Sequence, residues 1–156
     1  MPKTSAGILF YRFQKNKLQV LLVHPGGPYW VKKDIGAWSI LKGEVVAGEK
    51  LLEAAIRETE EETGVKAQGK FIELTPLRQI SSGKIIYAWA LQGDFDASAI
   101  RSNTFEMEWP PKSGKKKSFP EIDKAAWFDA EEAKDKIIAG QVPFIIELEN
   151  LVNRRL

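Results

Sequence analysis

A run of carboxylates near the middle of the chain constrains the fold more than any other feature. Glu58, Glu60, Glu61 and Glu62 follow the segment LLEAAI, whose apolar, alanine-rich composition is typical of a helix that packs on a core. Gly64 is a typical helix stop, so we predict a helix over about residues 50–63. At about 100° per residue, Glu58, Glu61 and Glu62 share one side of this helix and Glu60 points away.

Three neighbouring carboxylates repel one another, and the negative end of the helix dipole adds to the cost. A divalent cation would turn this repulsion into attraction, because hard ions such as Mg²⁺ bind carboxylate oxygens and keep waters for a phosphate substrate. Arg57 lies beside the cluster and could fix one carboxylate by a bidentate pair. The alternative is a solvated acidic helix face, which is the usual state of a charge run.

The spacing around the cluster favours the metal site. It joins the carboxylates to residues before and after them within residues 43–65, here called the box segment: Gly43, Glu49, Arg57-Glu58, Glu61-Glu62 and Gly64-Val65. This pattern resembles the Nudix box of the Nudix hydrolases, although Thr59 stands where that family usually has a bulky aliphatic residue. The order of elements indicates an α+β or mixed α/β fold. The resemblance implies the family's α/β/α sandwich with a mixed sheet.

The resemblance also implies a reaction, in which water attacks a diphosphate bond in a nucleoside diphosphate linked to another group. It implies Mg²⁺ or Mn²⁺ as the cofactor. The ligands implied within the box segment are the Gly43 backbone carbonyl, Glu58, Glu61 and Glu62. Glu58 would be either such a ligand or the general base. Arg57 and Glu49 would hold the ligand carboxylates in place, and their alternative role is a simple salt bridge.

Nudix hydrolases often draw another carboxylate from a loop beyond the sheet. Glu121, a few residues before the last predicted strand, is the favoured candidate for a further metal ligand. Asp123 is its rival, and Glu106 and Glu108 are less favoured. The alternative for each is an ordinary polar residue.

Lysines and tryptophans near loops are candidates for substrate contacts. The candidate phosphate contacts are Lys42, Lys32, Lys33 and the run Lys115, Lys116 and Lys117, although a solubilising surface role is the commoner one for each lysine. Trp30, Trp38 or Trp109 could stack on a base, whereas core packing is the favoured role of Trp38 and Trp127. We interpret His24, the only histidine, as a loop residue.

The remaining pattern predicts strands and helices around the box segment. Strands are predicted at 5–13, 18–23, 37–41, 70–80, 84–91, 104–109 and 124–128. The first two would form a hairpin, and 24–36 and 110–121 would be loops. Asp129 would cap a helix that ends at Gly140, and Pro143 suits the first turn of a last helix.

Length and composition argue against several other classes of protein. The chain has 156 residues, 44% hydrophobic and 28% charged, which favours one globular domain over residues 1–156. It has no cysteine and a net charge of +2, which gives no support for a disulfide scaffold or for nucleic-acid binding as such. No segment resembles a signal peptide or a membrane span, so we expect a cytoplasmic protein with no membrane partner. The oligomeric state is left open.

The lead-in WSILKGE points to a substrate class. It is similar to the box entry of diadenosine polyphosphate hydrolases and RNA-decapping relatives, with Leu41 in place of the usual proline. We therefore favour a dinucleoside polyphosphate such as diadenosine tetraphosphate. The alternatives are a nucleoside triphosphate, including an oxidised one, and an RNA 5′ end, the one case with a nucleic-acid partner. A non-catalytic nucleotide sensor is the alternative of another class.

Overall fold

The computed structural model describes residues 3–79 and 82–153, in which nine strands and three α-helices are present. The strands are β1 (Thr4–Gln14), β2 (Lys17–Pro25), β3 (Leu41–Glu44), β4 (Ile72–Glu73), β5 (Leu77–Arg78), β6 (Ile85–Gln92), β7 (Thr104–Glu108), β8 (Lys116–Pro120) and β9 (Ile122–Asp129). The helices are α1 (Leu51–Thr63), α2 (Ala130–Lys136) and α3 (Val142–Asn153).

The central sheet is mixed and is arranged around β1. Its main order is β4-β6-β1-β2-β9, while β3 pairs with β1 and β5 pairs with β6. Only β1 and β6 run parallel among these pairs of the described strands. The β1–β2 hairpin is as predicted, and its tight turn places Lys15 and Asn16 at positive φ. Strands β7 and β8 form a separate two-stranded hairpin.

Helices cover both faces of this sheet. Side chains alternate along β1, so Ile8 and Phe10 pack in a cluster with α1, while Leu9 and Tyr11 pack in the cluster of α2 and α3. This arrangement confirms the predicted α/β/α sandwich with a mixed sheet. No helix in the described ranges has the length and apolar character needed to cross a membrane.

The central helix follows the sequence pattern closely. It begins after Lys50 and ends at Gly64, whose φ of 76° is the left-handed conformation that glycine adopts readily. Thr59 is buried on the core side, and its hydroxyl donates a hydrogen bond to the Ala55 carbonyl at 2.8 Å. The bond satisfies the hydroxyl where an aliphatic side chain would need no partner.

Several strand predictions were wrong. Within 37–41, Trp38 and Ser39 form only isolated bridges, and β3 begins at Leu41 and extends to Glu44. Residues 70–80 hold two short strands, β4 and β5, separated by a segment containing Pro76, which has no N–H for a ladder; residue 80 itself lies outside the described residues. Residues 110–121, predicted to form a loop, contain β8. The one aromatic residue of this segment, Phe119, pairs with Phe105 of β7.

Of three predictions near the C-terminal helices, two need correction and one is confirmed. Helix α2 ends at Lys136, not Gly140, because Ile137 turns to an extended conformation and bridges Trp38. Asp129 precedes α2, but its carboxylate makes no cap; it accepts a hydrogen bond from Gln19 at 2.9 Å instead. Pro143 lies in the first turn of α3, as predicted.

Candidate active site

The acidic face of α1 lies at one end of a cleft. Burial, followed by the negative charges of Glu58 and Glu121, raises the pKa of Glu62 to about 8. Burial also raises the pKa of Glu58, although Arg57 opposes that rise. Glu61 is exposed, and its negative charge also raises the pKa of Glu58 and of Glu62. Carboxylates from α1 and from the β8–β9 junction therefore share one small volume.

Gly43 lets β3 approach this helix closely. A Cβ atom at Gly43 would stand 2.1 Å from Oε2 of Glu58, which is far inside van der Waals contact. Any other residue would displace the Glu58 carboxylate or separate β3 from α1. The box glycine is thus needed for space, because its φ is not in the left-handed region.

Arg57 organises the carboxylates of the box segment. Its Nε donates to Glu49 Oε2 at 2.7 Å and its Nη2 donates to Glu49 Oε1 at 3.0 Å, which is a bidentate pair. Its Nη1 donates to Glu58 at 2.9 Å and to Glu61 at 3.1 Å. These bonds raise the pKa of Arg57 above its usual range and lower that of Glu49. The network extends beyond the predicted alternative of a simple salt bridge, since Nη2 also reaches the Glu44 carbonyl at 3.2 Å.

Glu121 is held in place by its backbone. Its N–H donates to the Asn103 carbonyl at 2.8 Å, and its carbonyl accepts from the Gly26 N–H at 2.9 Å. A Cβ atom at Gly26 would lie 1.9 Å from the Pro120 carbonyl oxygen, so glycine is required for this approach. The rival candidate, Asp123, is engaged elsewhere, because its Oδ1 lies 2.8 Å from Nδ1 of His24.

A cleft of about 280 Å³ opens between the acidic residues and the loop at residues 26–36, here called the 26–36 loop. Its polar lining includes Lys42, Ser39, Glu62, Gln79 and Glu121. Trp30 forms part of the opposite wall, and Lys33 Nζ lies 5.0 Å from the centroid of its ring. Apolar side chains such as Ile40 and Ile138 complete the lining. The cleft thus has an acidic end, a cationic residue and an aromatic wall.

Lys42 is a cation of the cleft lining that interacts electrostatically with Glu62. Burial lowers the pKa of Lys42, and the nearby Lys84 lowers it further, while the negative charge of Glu62 acts in the opposite direction. A partly buried ammonium group beside a carboxylate in a cleft is well suited to meet an anionic phosphate. Lys42 therefore lines the cleft, which the lysines of the β7–β8 hairpin do not within the described residues.

The family model of the NUDIX domain matches residues 1–148. The chain belongs to the NUDIX family. A similar protein, Nudix hydrolase 6 of Arabidopsis thaliana, is 30% identical over 126 residues, which are 81% of this chain and 39% of the relative. The chain therefore spans about two fifths of that relative's length. The family model and this relative confirm the predicted membership of the Nudix hydrolases.

Solved structures of the NUDIX family share the fold at low sequence identity. The NUDIX domain of Shewanella oneidensis NrtR, complexed with ADP ribose, has a TM-score of 0.66 and 14% identity, and the match covers 100% of this chain and 90% of that one. A Caenorhabditis elegans Ap4A hydrolase binary complex has a TM-score of 0.63 and 20% identity, with 97% and 98% of the two chains covered. These matches confirm the fold class.

Among the residues described, no three His, Cys, Asp or Glu side chains are arranged to hold a metal ion. Arg57 instead occupies oxygens of Glu58 and Glu61. The donor chemistry of this NUDIX chain nevertheless fits a divalent cation. Its carboxylates are close enough that Glu121 raises the pKa of both Glu58 and Glu62. A cation there would offset both the desolvation of Glu62 and its repulsion by Glu58 and Glu121. Side-chain rotation away from Arg57 would be part of binding.

The structure separates the predicted substrate residues into two groups. Lys42 and Trp30 line the cleft, whereas Lys115 and Lys116 are exposed at the turn end of the β7–β8 hairpin and are not part of the lining within the described ranges. Lys116 lies opposite Glu108 across the hairpin. Trp109 reaches the 26–36 loop by packing on Tyr29, with ring centroids 5.3 Å apart.

Sequence reasoning misjudged His24 and overlooked Gln79. His24 is not in a loop; it belongs to β2 and is completely buried. Its pairing with Asp123 depends on the contact between β2 and β9, which are far apart in the sequence. Gln79 reaches the cleft from the turn before β6, where no local pattern marks it.

Proposed function

We propose that this chain is a metal-dependent pyrophosphohydrolase that cleaves a diphosphate bond in a nucleoside diphosphate-linked substrate by attack of water. The observation that carries the proposal is the meeting of Glu58, Glu62 and Glu121 at one end of a cleft that also contains Lys42. Carboxylates alone would repel a polyphosphate. A cleft of this composition therefore suits a substrate that arrives with divalent cations.

The residues that would hold the cation are the Gly43 carbonyl, Glu58, Glu61, Glu62 and Glu121. Mg²⁺ or Mn²⁺ would neutralise charge on the diphosphate and make water a better nucleophile. Arg57 and Glu49 keep the carboxylates of α1 aligned by the hydrogen bonds described above. When Arg57 releases an oxygen of Glu58 or Glu61, its bidentate pair with Glu49 holds the guanidinium in place.

The chain's own residues supply the remaining steps of the reaction. Lys42 meets the phosphate groups, and Trp30 offers a ring to a nucleobase. Glu58, if it is not itself a ligand, accepts a proton from water as the water oxygen bonds to phosphorus. The bond between that phosphorus and the bridging oxygen breaks, and the bridging oxygen leaves on the second phosphate. Burial raises the pKa of Glu58, which makes it a stronger base than an exposed carboxylate.

A dinucleoside polyphosphate such as diadenosine tetraphosphate is the favoured substrate. The WSILKGE lead-in supports it, and so does the fold shared with an Ap4A hydrolase. The NrtR domain that binds ADP ribose shares the fold equally well, so ADP ribose belongs in the test. Nucleoside triphosphates and RNA 5′ ends are the other candidates. Because fold does not determine substrate, turnover must decide among them.

A substrate panel with Mg²⁺ and with Mn²⁺ tests the proposal. It contains diadenosine tetraphosphate, ADP ribose, canonical and oxidised triphosphates, sugar nucleotides and capped RNA, with Glu61→Gln as the comparison variant. We expect turnover of at least one member and a large loss in Glu61→Gln. Wild-type turnover in Glu61→Gln would refute the metal assignment. Tight binding of one member without turnover of any would support the nucleotide sensor instead.

A further inference from the structure

His24 is the one buried histidine, and both of its ring nitrogens contact polar atoms. Its side chain is 0% exposed. Nδ1 lies 2.8 Å from Oδ1 of Asp123, and Nε2 lies 2.5 Å from the Lys33 carbonyl oxygen. The ring packs edge-on against Trp38 with centroids 5.2 Å apart. Nothing in the proposed reaction uses this residue.

One of the two contacts requires a proton at a defined place. A carbonyl oxygen only accepts hydrogen bonds, so Nε2 carries a hydrogen and donates it to Lys33. Nδ1 lies within hydrogen-bond distance of Asp123, so each ring nitrogen has a polar partner. His24 thus joins β9 to the 26–36 loop through one contact at each ring nitrogen.

A β-bulge delivers Asp123 to this position. His24 pairs with Lys124, but the next residue, Pro25, pairs with Ile122, so Asp123 is an extra residue on β9. The register shift directs Asp123 toward His24 just after Glu121 enters the cleft. Bulges commonly redirect a side chain beside a functional site.

The other contact reaches the aromatic wall of the cleft. The Lys33 carbonyl accepts from His24, while the Lys33 N–H donates to the Trp30 carbonyl at 2.9 Å. Trp30 in turn donates its N–H to Gly27 at 3.2 Å, which closes the turn. Only Lys33 therefore lies between the imidazole and Trp30 in this chain of hydrogen bonds. On the other side, only Ile122 lies between Asp123 and Glu121 in the sequence.

We infer that His24 is a positioning residue, which fixes the distance across the cleft between Trp30 of the 26–36 loop and Glu121 beside the carboxylates. The inference rests on the proposed function for its effect on substrate. It does not make His24 a catalytic residue, because the ring is buried behind the cleft. Its effect on turnover should pass through Trp30.

A double-mutant cycle of His24→Gln and Trp30→Ala tests this coupling. The substrate is diadenosine tetraphosphate, or the panel member that the wild type hydrolyses fastest. We expect His24→Gln to raise KM about tenfold in the wild-type background, the order expected from loss of a buried hydrogen bond, with a smaller effect on kcat. In the Trp30→Ala background the same change should raise KM by less than about twofold. Equal factors in both backgrounds would overturn the inference.

Hydrogen exchange gives a readout that needs no activity. The amides of Trp30 and Lys33 should exchange at least about tenfold faster in His24→Gln, while amides of α1 keep their wild-type rates. Unchanged exchange at 27–33 would overturn the inference even if the proposed reaction is correct. If the wild type hydrolyses nothing in the panel, the proposed function fails and this measurement still decides the role of His24.

Two further variants separate positioning from general destabilisation. Val152→Ala removes buried volume in the α3 core far from the cleft, so it should lower Tm without changing KM or the exchange of the 26–36 loop. If His24→Gln does not fold, Asp123→Ala replaces it in the cycle and should give the same coupling and faster exchange. Wild-type exchange in Asp123→Ala would count against the inference.

Discussion

The two walls of the cleft differ in how they are held. The acidic wall comes from α1 and β3 within the box segment, where Arg57 links Glu49, Glu58 and Glu61 over a short stretch of sequence. The opposite wall comes from the 26–36 loop, which is joined to the β8–β9 junction by long-range contacts such as that of Gly26 with Glu121. We infer that the first wall supplies the chemistry of the family and that the second determines which nucleotide is accepted.

The two walls also differ in the solvent exposure of their side chains. Most of the large exposed apolar side chains identified in the described residues belong to the 26–36 loop: Tyr29, Trp30, Val31 and Ile35. Exposed apolar groups concentrated beside a cleft are typical of a binding surface. On the acidic wall, Glu58 and Glu62 are both partly buried. A variant on the first wall should therefore affect turnover with any substrate, and one on the second should affect substrates unequally.

The largest effect is expected for Glu62→Gln. The change keeps the shape of a partly buried side chain but removes a negative charge that we assign to metal binding. We expect kcat/KM with Mg²⁺ to fall at least about a hundredfold for every substrate in the panel, because loss of a ligand exceeds the loss of a supporting residue. Steady-state kinetics over a range of Mg²⁺ concentrations measures it.

The same helix offers a matched control. Glu60→Gln removes an equal charge from the exposed side of α1, and its side chain lies away from the cleft. It should leave kcat/KM within about twofold of wild type, since exposed charges contribute little. Equal losses in both variants would mean that general helix charge, and not a metal site, explains the effect.

A smaller effect is expected for Arg57→Lys. Lysine keeps the charge but cannot make the bidentate pair with Glu49 while contacting Glu58 and Glu61. The Mg²⁺ concentration that gives half-maximal rate should rise by about tenfold or more, as for other residues that support metal ligands. Arg12→Lys is the control, because Arg12 pairs with Asp94 at 2.9 Å, outside the cleft lining. A shift of the same size in both variants would refute the role of Arg57.

The difference between the walls also explains what could be predicted from the sequence. Helix geometry is local, so the shared side of Glu58, Glu61 and Glu62, the stop at Gly64 and the core position of Thr59 follow from spacing alone. The other wall depends on the register between β2 and β9, and no local pattern reveals a bulge at Asp123. For the same reason His24 appeared to be a loop residue, whereas β8 appeared to be part of a loop because of the proline, glycine and lysine content of residues 110–121.

Trp30→Ala tests the second wall. We expect KM to rise about tenfold for nucleotides whose base reaches the wall, because stacking on an aromatic ring contributes at this level, with kcat changed less. Trp30→Phe keeps an aromatic face and should restore most of the affinity. Equal KM changes for all panel members, including those with different bases or none near the wall, would show that Trp30 does not select the substrate.

The smallest effect is expected at Asp34, which links the 26–36 loop to the rest of the protein. Its carboxylate accepts from Trp38 Nε1 at 2.8 Å and pairs with Lys136. The ion pair with Lys136 is the main cause that lowers the pKa of Asp34 below its ordinary value, followed by the Trp38 bond. A lowered folded-state pKa stabilises the protein above the unfolded pKa, and this contribution disappears as the pH falls through the folded value.

Asp34→Asn should therefore lower Tm slightly at pH 7, and the difference from wild type should vanish as the pH falls through the lowered folded-state pKa of Asp34. The effect is small because the pair is exposed and screened by salt. Asparagine can still accept from Trp38, so a loss of Tm isolates the ion pair with Lys136. Thermal unfolding at steps from pH 7 downward measures it. A difference that stays constant with pH would show that the 26–36 loop is held by packing and not by this charge, in contrast to the acidic wall with its Arg57 network.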